Sequence, residues 1–307
     1  MTRLRADLLL LLTAFIWGTA FLAQKLGNLA VSPAQFVGLR FVLSAALLVP
    51  LALWEAGRRQ WLWPGRGDMA VAALGGLCLF AGAILQQTGL TGTSVANGGF
   101  LTSLYVLIVP FFAWLAGGGR PQPVILAACL CSVLGAWMLT SGGVAQRMTG
   151  GDALVLAADF AWAGMIVLAP VFLRRTGRPF LLCAVQHLVT AVLALGWALP
   201  AASWSWPALH AATPAILYAG VLSGGLAFTL QVVAQACAPP VEAALILSLE
   251  NVFAAATGAV WLHERLSWLA IGGCVLIMAG VLLPDLGAAA WRRLAGRNDP
   301  AGVAGPP

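Results

Sequence analysis

The feature that most constrains this chain is that it matches itself: the same polar and small residues recur 145 positions apart along five consecutive apolar segments. Asp7 pairs with Asp152, Phe15 with Phe160, Trp17 with Trp162, Gly75 with Gly220 and Gln86 with Gln231. Further on, Ser103 pairs with Ser248, Leu104 with Leu249, Cys129 with Cys274 and Gly135 with Gly280, so little is inserted or lost outside residues 30–60. Two copies of a five-segment unit make ten membrane spans. An odd number of spans per copy sends the second copy into the membrane from the opposite side, the inverted-repeat plan of a secondary transporter. The expected fold class is an all-α integral membrane protein of ten transmembrane helices, built as two inverted five-helix repeats. The copies are placed at residues 1–145 and 146–285, followed by a disordered cytoplasmic tail at 286–307.

Composition agrees with that plan. Hydrophobic side chains make up 61% of the 307 residues and charged ones 8%, whereas about a quarter of a soluble globular domain is charged. Apolar runs fall at 8–24, 33–54, 69–87, 95–117, 123–140, 153–172, 180–199, 213–235, 241–262 and 268–284. Each approaches the roughly 20 residues a helix needs to cross the hydrocarbon. Prolines 33, 123, 179, 214 and 240 stand where helices are expected to open, a position where the missing N–H costs nothing.

The net charge of +6 is distributed by side. Arg3, Arg5, Arg58, Arg59, Arg66, Arg120, Arg174, Arg175, Arg178, Arg292, Arg293 and Arg297 all fall on one face of the membrane, and only Lys25, Arg147 and Arg265 on the other. The positive-inside rule then puts both termini in the cytoplasm of a multi-pass protein of the inner (plasma) membrane. Charge of this kind encodes orientation and argues against nucleic acid as a partner. Arg3 and Arg5 ahead of an apolar run also resemble a secretory signal, but cleavage would leave one copy of the repeat broken. The six cysteines lie within or beside apolar runs without metal-ligand spacing and read as small apolar filler.

Four stretches carry a family resemblance: "AFIWGTAFLAQK" at 14–25, "GLRFVLSAALL" at 38–48, "GFLTSLYVLIVPFFAWL" at 99–115 and "EAALILSLENVFAAATGAVWLHERLSWLAIGGCVLIMAGVLL" at 242–283. They resemble the EamA-type drug/metabolite transporter superfamily, over about residues 7–284. The chain departs from the family pattern at Asn251, where proline is usual, and at Gly119, where the first copy usually has glutamate. The resemblance implies a ten-helix carrier with a central cavity between its halves, often an exporter of amino acids or related small metabolites.

Ionisable groups inside apolar runs are the natural site candidates, because an ionised side chain at mid-bilayer costs about 2.5–3.5 kcal/mol even on the lenient insertion scale. Arg40, Asp159, His187, Glu242 and Glu250 are such groups. Each is neutralised, paired or turned into a wet cavity, and an ion pair of Arg40 with Asp159 or Glu250 stands beside a transport role. Glu250, flanked by Ser248 and Asn251, is the strongest candidate, and its counterpart is Tyr105. Asn97 and Glu242 are matched eight residues earlier, a spacing that returns to one helix face. Asn97 to Tyr105 and Glu242 to Glu250 would thus form two polar stripes lining one cavity. Glu242, just after Pro239 and Pro240, reads better as a first-turn acid favoured by the helix dipole.

Gln86, Gln87, Gln231 and Gln235 either hold a zwitterion or bond helix to helix. Trp17 and Trp162 are either gates over the cavity or packing. Pro110 and Pro170 mark expected bends. With no phosphate-binding loop, no HExxH and no GxSxG, enzymatic and ATP-driven readings are disfavoured, and no cofactor is expected. Proton or substrate gradients remain as the driving force, with Asp159, His187 or Glu250 able to change charge between wet and dry states. A passive pore, a flippase for amphipathic molecules and a polytopic intramembrane enzyme are the rival readings. The expected partners are a small-molecule substrate and the bilayer, with monomer and homodimer equally open.

Overall fold

The computed structural model describes residues 1–58, 64–141, 148–201, 203–261 and 267–295. Among these, nine stretches are helical, long and apolar enough to cross a bilayer, and Trp268–Pro284 adds a shorter apolar helix, in keeping with ten spans. Arg59, Trp61, Trp63, Arg147, His263, Arg265 and Arg297 lie outside the described residues.

The first half of the chain consists of α1 (Arg3–Gly27), α2 (Pro33–Arg58), α3 (Arg66–Gly92), a span in two pieces, α4 (Val95–Thr102) and α5 (Tyr105–Leu115), and α6 (Pro123–Ser141). The second consists of α7 (Gly150–Thr176), α8 (Pro179–Ala201), a span in three pieces, α9 (Trp206–Leu217), a π-helical segment (Tyr218–Ala227) and α10 (Phe228–Gln235), then α11 (Pro240–Leu247), α12 (Glu250–Trp261) and α13 (Trp268–Ala295). Pro33, Pro123, Pro179 and Pro240 each begin a helix as expected. Pro214 does not: it lies inside α9, which starts at Trp206 with Pro207 in its first turn. Residues 206–210 are therefore helix rather than link, and α13 runs to Ala295, past the expected boundary at 285.

Local chemistry explains several helix ends. Thr149 and Asp152 form a capping box at the start of α7, with Asp152 N–H donating to Thr149 Oγ1 at 3.1 Å and Thr149 N–H to Asp152 Oδ2 at 2.8 Å. Gly177 closes the same helix with φ 62°, the left-handed conformation glycine adopts without strain.

The helices pack in pairs that exchange under the 145-residue offset. Counterparts α2 and α8 pack on each other, as do counterparts α6 and α13. The packing of α3 on α7 is matched by that of α1 on the π-helical segment and α10, and α7 on α4 and α5 by α1 on α11 and α12. Small residues permit this in the α6–α13 pair: a Cβ on Gly135 would lie 2.5 Å from Gly273 O and 2.8 Å from Ile277 N. Without a hydrophobic drive between helices in lipid, such backbone approach is a main source of association.

The matched ends carry different polar chemistry. Asp152 Oδ1 accepts from Thr93 Oγ1 at 2.5 Å and Asn97 Nδ2 at 2.6 Å, fastening α7 to the start of α4. At the counterpart position, Asp7 and Glu242 are bridged by Arg3, which pairs with Glu242 and approaches Asp7 at 3.7 Å. Glu242 is thereby a first-turn acid with a cation beside it, as its position after Pro240 implied.

The α6–α13 pair is testable. Gly135→Leu should lower the thermal midpoint in detergent, by a loss of about 1–3 kcal/mol typical of overpacking, and an unchanged midpoint would refute the close approach.

Candidate functional site

The fourth and ninth spans are interrupted at matching places. Ser103 Oγ donates to Phe100 O and Ser248 Oγ to Leu245 O, each at 2.7 Å, and the residues that follow bond three positions back, Leu104 N to Leu101 O and Leu249 N to Ile246 O. A serine hydroxyl that takes up a preceding carbonyl competes with the helical ladder, and the turn tightens. Tyr105 and Glu250 are the first residues of the helices that resume, α5 and α12. The break occurs without the family's usual proline: Asn251 Nδ2 instead donates to Ser248 O at 3.3 Å.

The eighth span is irregular in another way. Its π-helical segment presents carbonyls that neighbouring helices occupy: Thr13 and Trp17 of α1 donate to Ala227 O and Ser223 O, both at 3.2 Å. Ser44 of α2 donates to Gly220 O at 2.6 Å, and His187 Nε2 of α8 lies 3.0 Å from Gly224 O. Gly224 allows this crowding, since a Cβ there would run into Ser44 Oγ. Gly18 does the same on α1, where a Cβ would lie 2.5 Å from Glu250 O.

Between these irregular spans lies a narrow cavity. Its aromatic wall is Trp17, Phe21, Tyr105, Trp162 and Phe228, and its polar groups include Gln24, Arg40, Gln86, Thr102, Ser223 and Glu250. Phe228 stands between the repeat-matched tryptophans, with ring centroids 4.7 Å from Trp17 and 6.2 Å from Trp162. Gln86 ties four helices together at one edge: its Oε1 accepts from Trp162 Nε1 at 3.0 Å and Thr102 Oγ1 at 3.4 Å, and its Nε2 donates to Gln24 Oε1 at 3.3 Å.

The centre of the molecule also holds polar atoms with no hydrogen-bond partner among the described residues. They are Arg40 Nε, Tyr105 Oη, both carboxylate oxygens of Asp159 and Glu250 Oε1. These residues are buried, at 5% exposure for Arg40, 3% for Tyr105 and Glu250 and 1% for Asp159. The expected ion pair of Arg40 with Asp159 or Glu250 is not among the ion pairs of the described residues. The guanidinium sits instead over the rings of Phe41 at 4.9 Å and Phe36 at 5.7 Å, a cation–π arrangement.

Of the residues singled out from sequence, Trp17, Arg40, Gln86, Tyr105, Trp162 and Glu250 meet at this cavity. The others serve elsewhere. Asn97 bonds Asp152, and Glu242 pairs with Arg3, so neither polar stripe continues to the cavity; the eight-residue spacing presumed an unbroken helix. His187 has one nitrogen on Cys183 O at 2.7 Å and the other on Gly224 O, holding the π-helical segment. Gln231 donates to Gln235 at 3.3 Å, and Gln235 to Ile166 O at 2.9 Å, which is the helix-bonding alternative. Gln87 belongs to a fastening between α1 and α3. Its Nε2 donates to Gln24 O at 3.0 Å and Asn28 Oδ1 at 2.9 Å, Asn28 Nδ2 donates to Gln87 O at 2.9 Å, and Lys25 Nζ reaches Leu90 O at 2.6 Å and Thr93 O at 2.8 Å. Asp159 is buried behind the cavity wall rather than on it. Gln24, Thr102, Ser223 and Phe228 are wall residues the sequence did not mark; Phe228 has alanine, Ala83, as its counterpart, so the repeat gave no signal.

Known proteins share this architecture. A solved crystal structure superposes with a TM-score of 0.77 at 21% identity, covering 95% of this chain and 99% of that one. An uncharacterized transporter of Archaeoglobus fulgidus is 27% identical over 92% of this chain and 87% of its own length. The uncharacterized transporter YwfM of Bacillus subtilis is 26% identical over 90% of this chain and 92% of its own. The EamA-like transporter family matches the sequence twice, over residues 4–141 and 149–284. With both halves of its spans matched in this way, the chain belongs to the EamA-like transporter family and is a multi-pass membrane transporter.

Proposed function

We propose that this protein is a secondary carrier that exports amino acids or related small zwitterions by alternating access, driven by a proton or substrate gradient. The observation that carries this reading is the pair Arg40 and Glu250. Both line one cavity, both are buried, and each has a polar atom without a partner. A ligand bearing a carboxylate and an ammonium group satisfies both at once, and its side chain meets Trp17, Trp162 and Phe228. Inside the membrane such unpaired groups are costly to keep for packing alone.

Alternating access between two inverted halves is supported by the twofold family match, the matching breaks at Ser103 and Ser248, and the helix pairings that exchange under the offset. The inverted-repeat reading also places both termini in the cytoplasm and the link between α1 and α2 outside.

Orientation is checked by cysteine labelling of a variant lacking the six native cysteines. Leu29→Cys should react with a membrane-impermeant thiol reagent from outside and Gly177→Cys only after the membrane is opened; the reverse pattern overturns the orientation.

Transport is checked in proteoliposomes with a mixture of labelled amino acids. Wild-type protein should give saturable uptake and counterflow, whereas linear flux without counterflow would identify a pore. Arg40→Gln and Glu250→Gln should each reduce uptake about tenfold or more, since a hydrogen bond to a charged group contributes about 1.5–3 kcal/mol, while thermal unfolding in detergent stays close to wild type. Normal uptake by both variants rejects the site.

A further inference from the structure

We propose that Asp159 is the coupling-proton site of this carrier, separate from the substrate site. The assignment rests on the carrier reading above and deepens it.

Asp159 lies in the first half of α7 and is 1% exposed, and neither of its carboxylate oxygens has a hydrogen-bond partner among the described residues. It does not line the cavity, yet Tyr105 and Glu250, which do, are within electrostatic reach of it. A carboxylate left so bare in hydrocarbon is expensive to keep for structure alone. Its counterpart in the first copy is Ala14, so the fold itself accommodates an apolar residue at the matching position.

The ionisable groups around it are few. Tyr105 comes from α5 and Glu250 from α12, and Arg40 of α2 shares the cavity with both. Cys78 of α3 lies beside Gly164, further along α7. On α8, His187 has both nitrogens on carbonyls. Neither α4 nor α10 carries an ionisable side chain, and α11 carries only Glu242, which pairs with Arg3. Among the described residues, Asp159 therefore has one acid, Glu250, and a phenol, Tyr105, within electrostatic reach, and no cation pairs with it.

That environment favours a proton over a metal cation. A hard cation needs about six oxygen ligands in its shell, but no cluster of three or more candidate ligand side chains exists among the described residues. A proton needs a single oxygen. Protonation removes the charge of Asp159, and with it the repulsion toward Glu250. Loss of the proton restores that repulsion across the wall behind the substrate site. One proton taken up and released per cycle at Asp159 would thus change the affinity of Glu250 for a substrate ammonium group without the substrate touching Asp159. Such linkage is reciprocal.

The test uses the full-length protein in proteoliposomes with labelled amino acids, read two ways: counterflow at equal pH on both sides, and accumulation under an imposed pH gradient. Asp159→Asn should retain counterflow and lose about tenfold or more of the pH-driven accumulation, the scale of an ordinary coupling free energy. Asp159→Glu, which keeps a carboxyl, should retain accumulation with a displaced pH profile. Normal pH-driven accumulation by Asp159→Asn overturns the assignment, as does loss of counterflow in an Asp159→Asn protein whose thermal unfolding matches wild type. Accumulation that follows a sodium gradient and ignores pH overturns it in favour of a metal cation, and an Asp159→Glu profile identical to wild type overturns it as well. Absence of counterflow in the wild type removes the carrier reading, and this assignment with it. The substitutions at Arg40 and Glu250 test the substrate site independently.

Discussion

In hydrocarbon a backbone carbonyl that leaves the helical ladder has no water to turn to, and the π-helical segment Tyr218–Ala227 is where this chain meets that limit. Its carbonyls are occupied from three directions, by Thr13 and Trp17 of α1, Ser44 of α2 and His187 of α8. A hydrogen bond of this kind contributes only about 0.5–1.5 kcal/mol net, but leaving a buried group unmet costs about 1–3 kcal/mol. The consequence is positional. Trp17 is held against the cavity by its bond to Ser223 O, with Phe228 packed on its ring, and α1, α2 and α8 cannot shift independently of the eighth span.

Against that background the matched fourth and ninth spans keep one backbone plan and diverge in chemistry, while the continuous third span has the interrupted eighth as its counterpart. The serine-induced break recurs at Ser103 and Ser248, but the helix that resumes begins with a phenol in one copy and a carboxyl in the other. Asn97 and Glu242 likewise hold matched helix ends together, one through neutral donors to Asp152 and the other through Arg3. The cavity is thus asymmetric, its acid, Glu250, coming from the second half of the chain and its arginine, Arg40, from the first.

Much of the fold was legible in the sequence, because the length of the apolar runs is a direct readout of span number. Glu250 drew notice as a charge deep in an apolar run, and the structure places it on the cavity wall. What failed depended on backbone departures that residue spacing does not announce. Asn97 and Glu242 were aligned with Tyr105 and Glu250 by a count of eight that holds only along an unbroken helix. His187 read as a titrating group because its role depends on a carbonyl of the π-helical segment, remote in sequence. Phe228 and Gln24 were passed over because an apolar residue in an apolar run, or an amide near a helix end, carries no mark of facing a cavity. Residues 206–210 were left outside the expected run at 213–235, although Ser205 and Pro207 are ordinary helix-start signals.

The fastening between α1 and α3 has a thermodynamic consequence. Asn28 and Gln87 bond each other there, whereas their counterparts, Leu173 and Val232, sit together in an apolar cluster. Wetting polar surface lowers heat capacity by about 0.26 cal/K/mol per Å², and wetting apolar surface raises it by about 0.45. Separation of the helices at one end would therefore carry a heat-capacity change opposite in sign to separation at the other. Cooling weakens apolar association, so the cluster that holds Leu173 and Val232 loses strength in the cold, whereas the hydrogen-bonded pair of Asn28 and Gln87 does not share that loss.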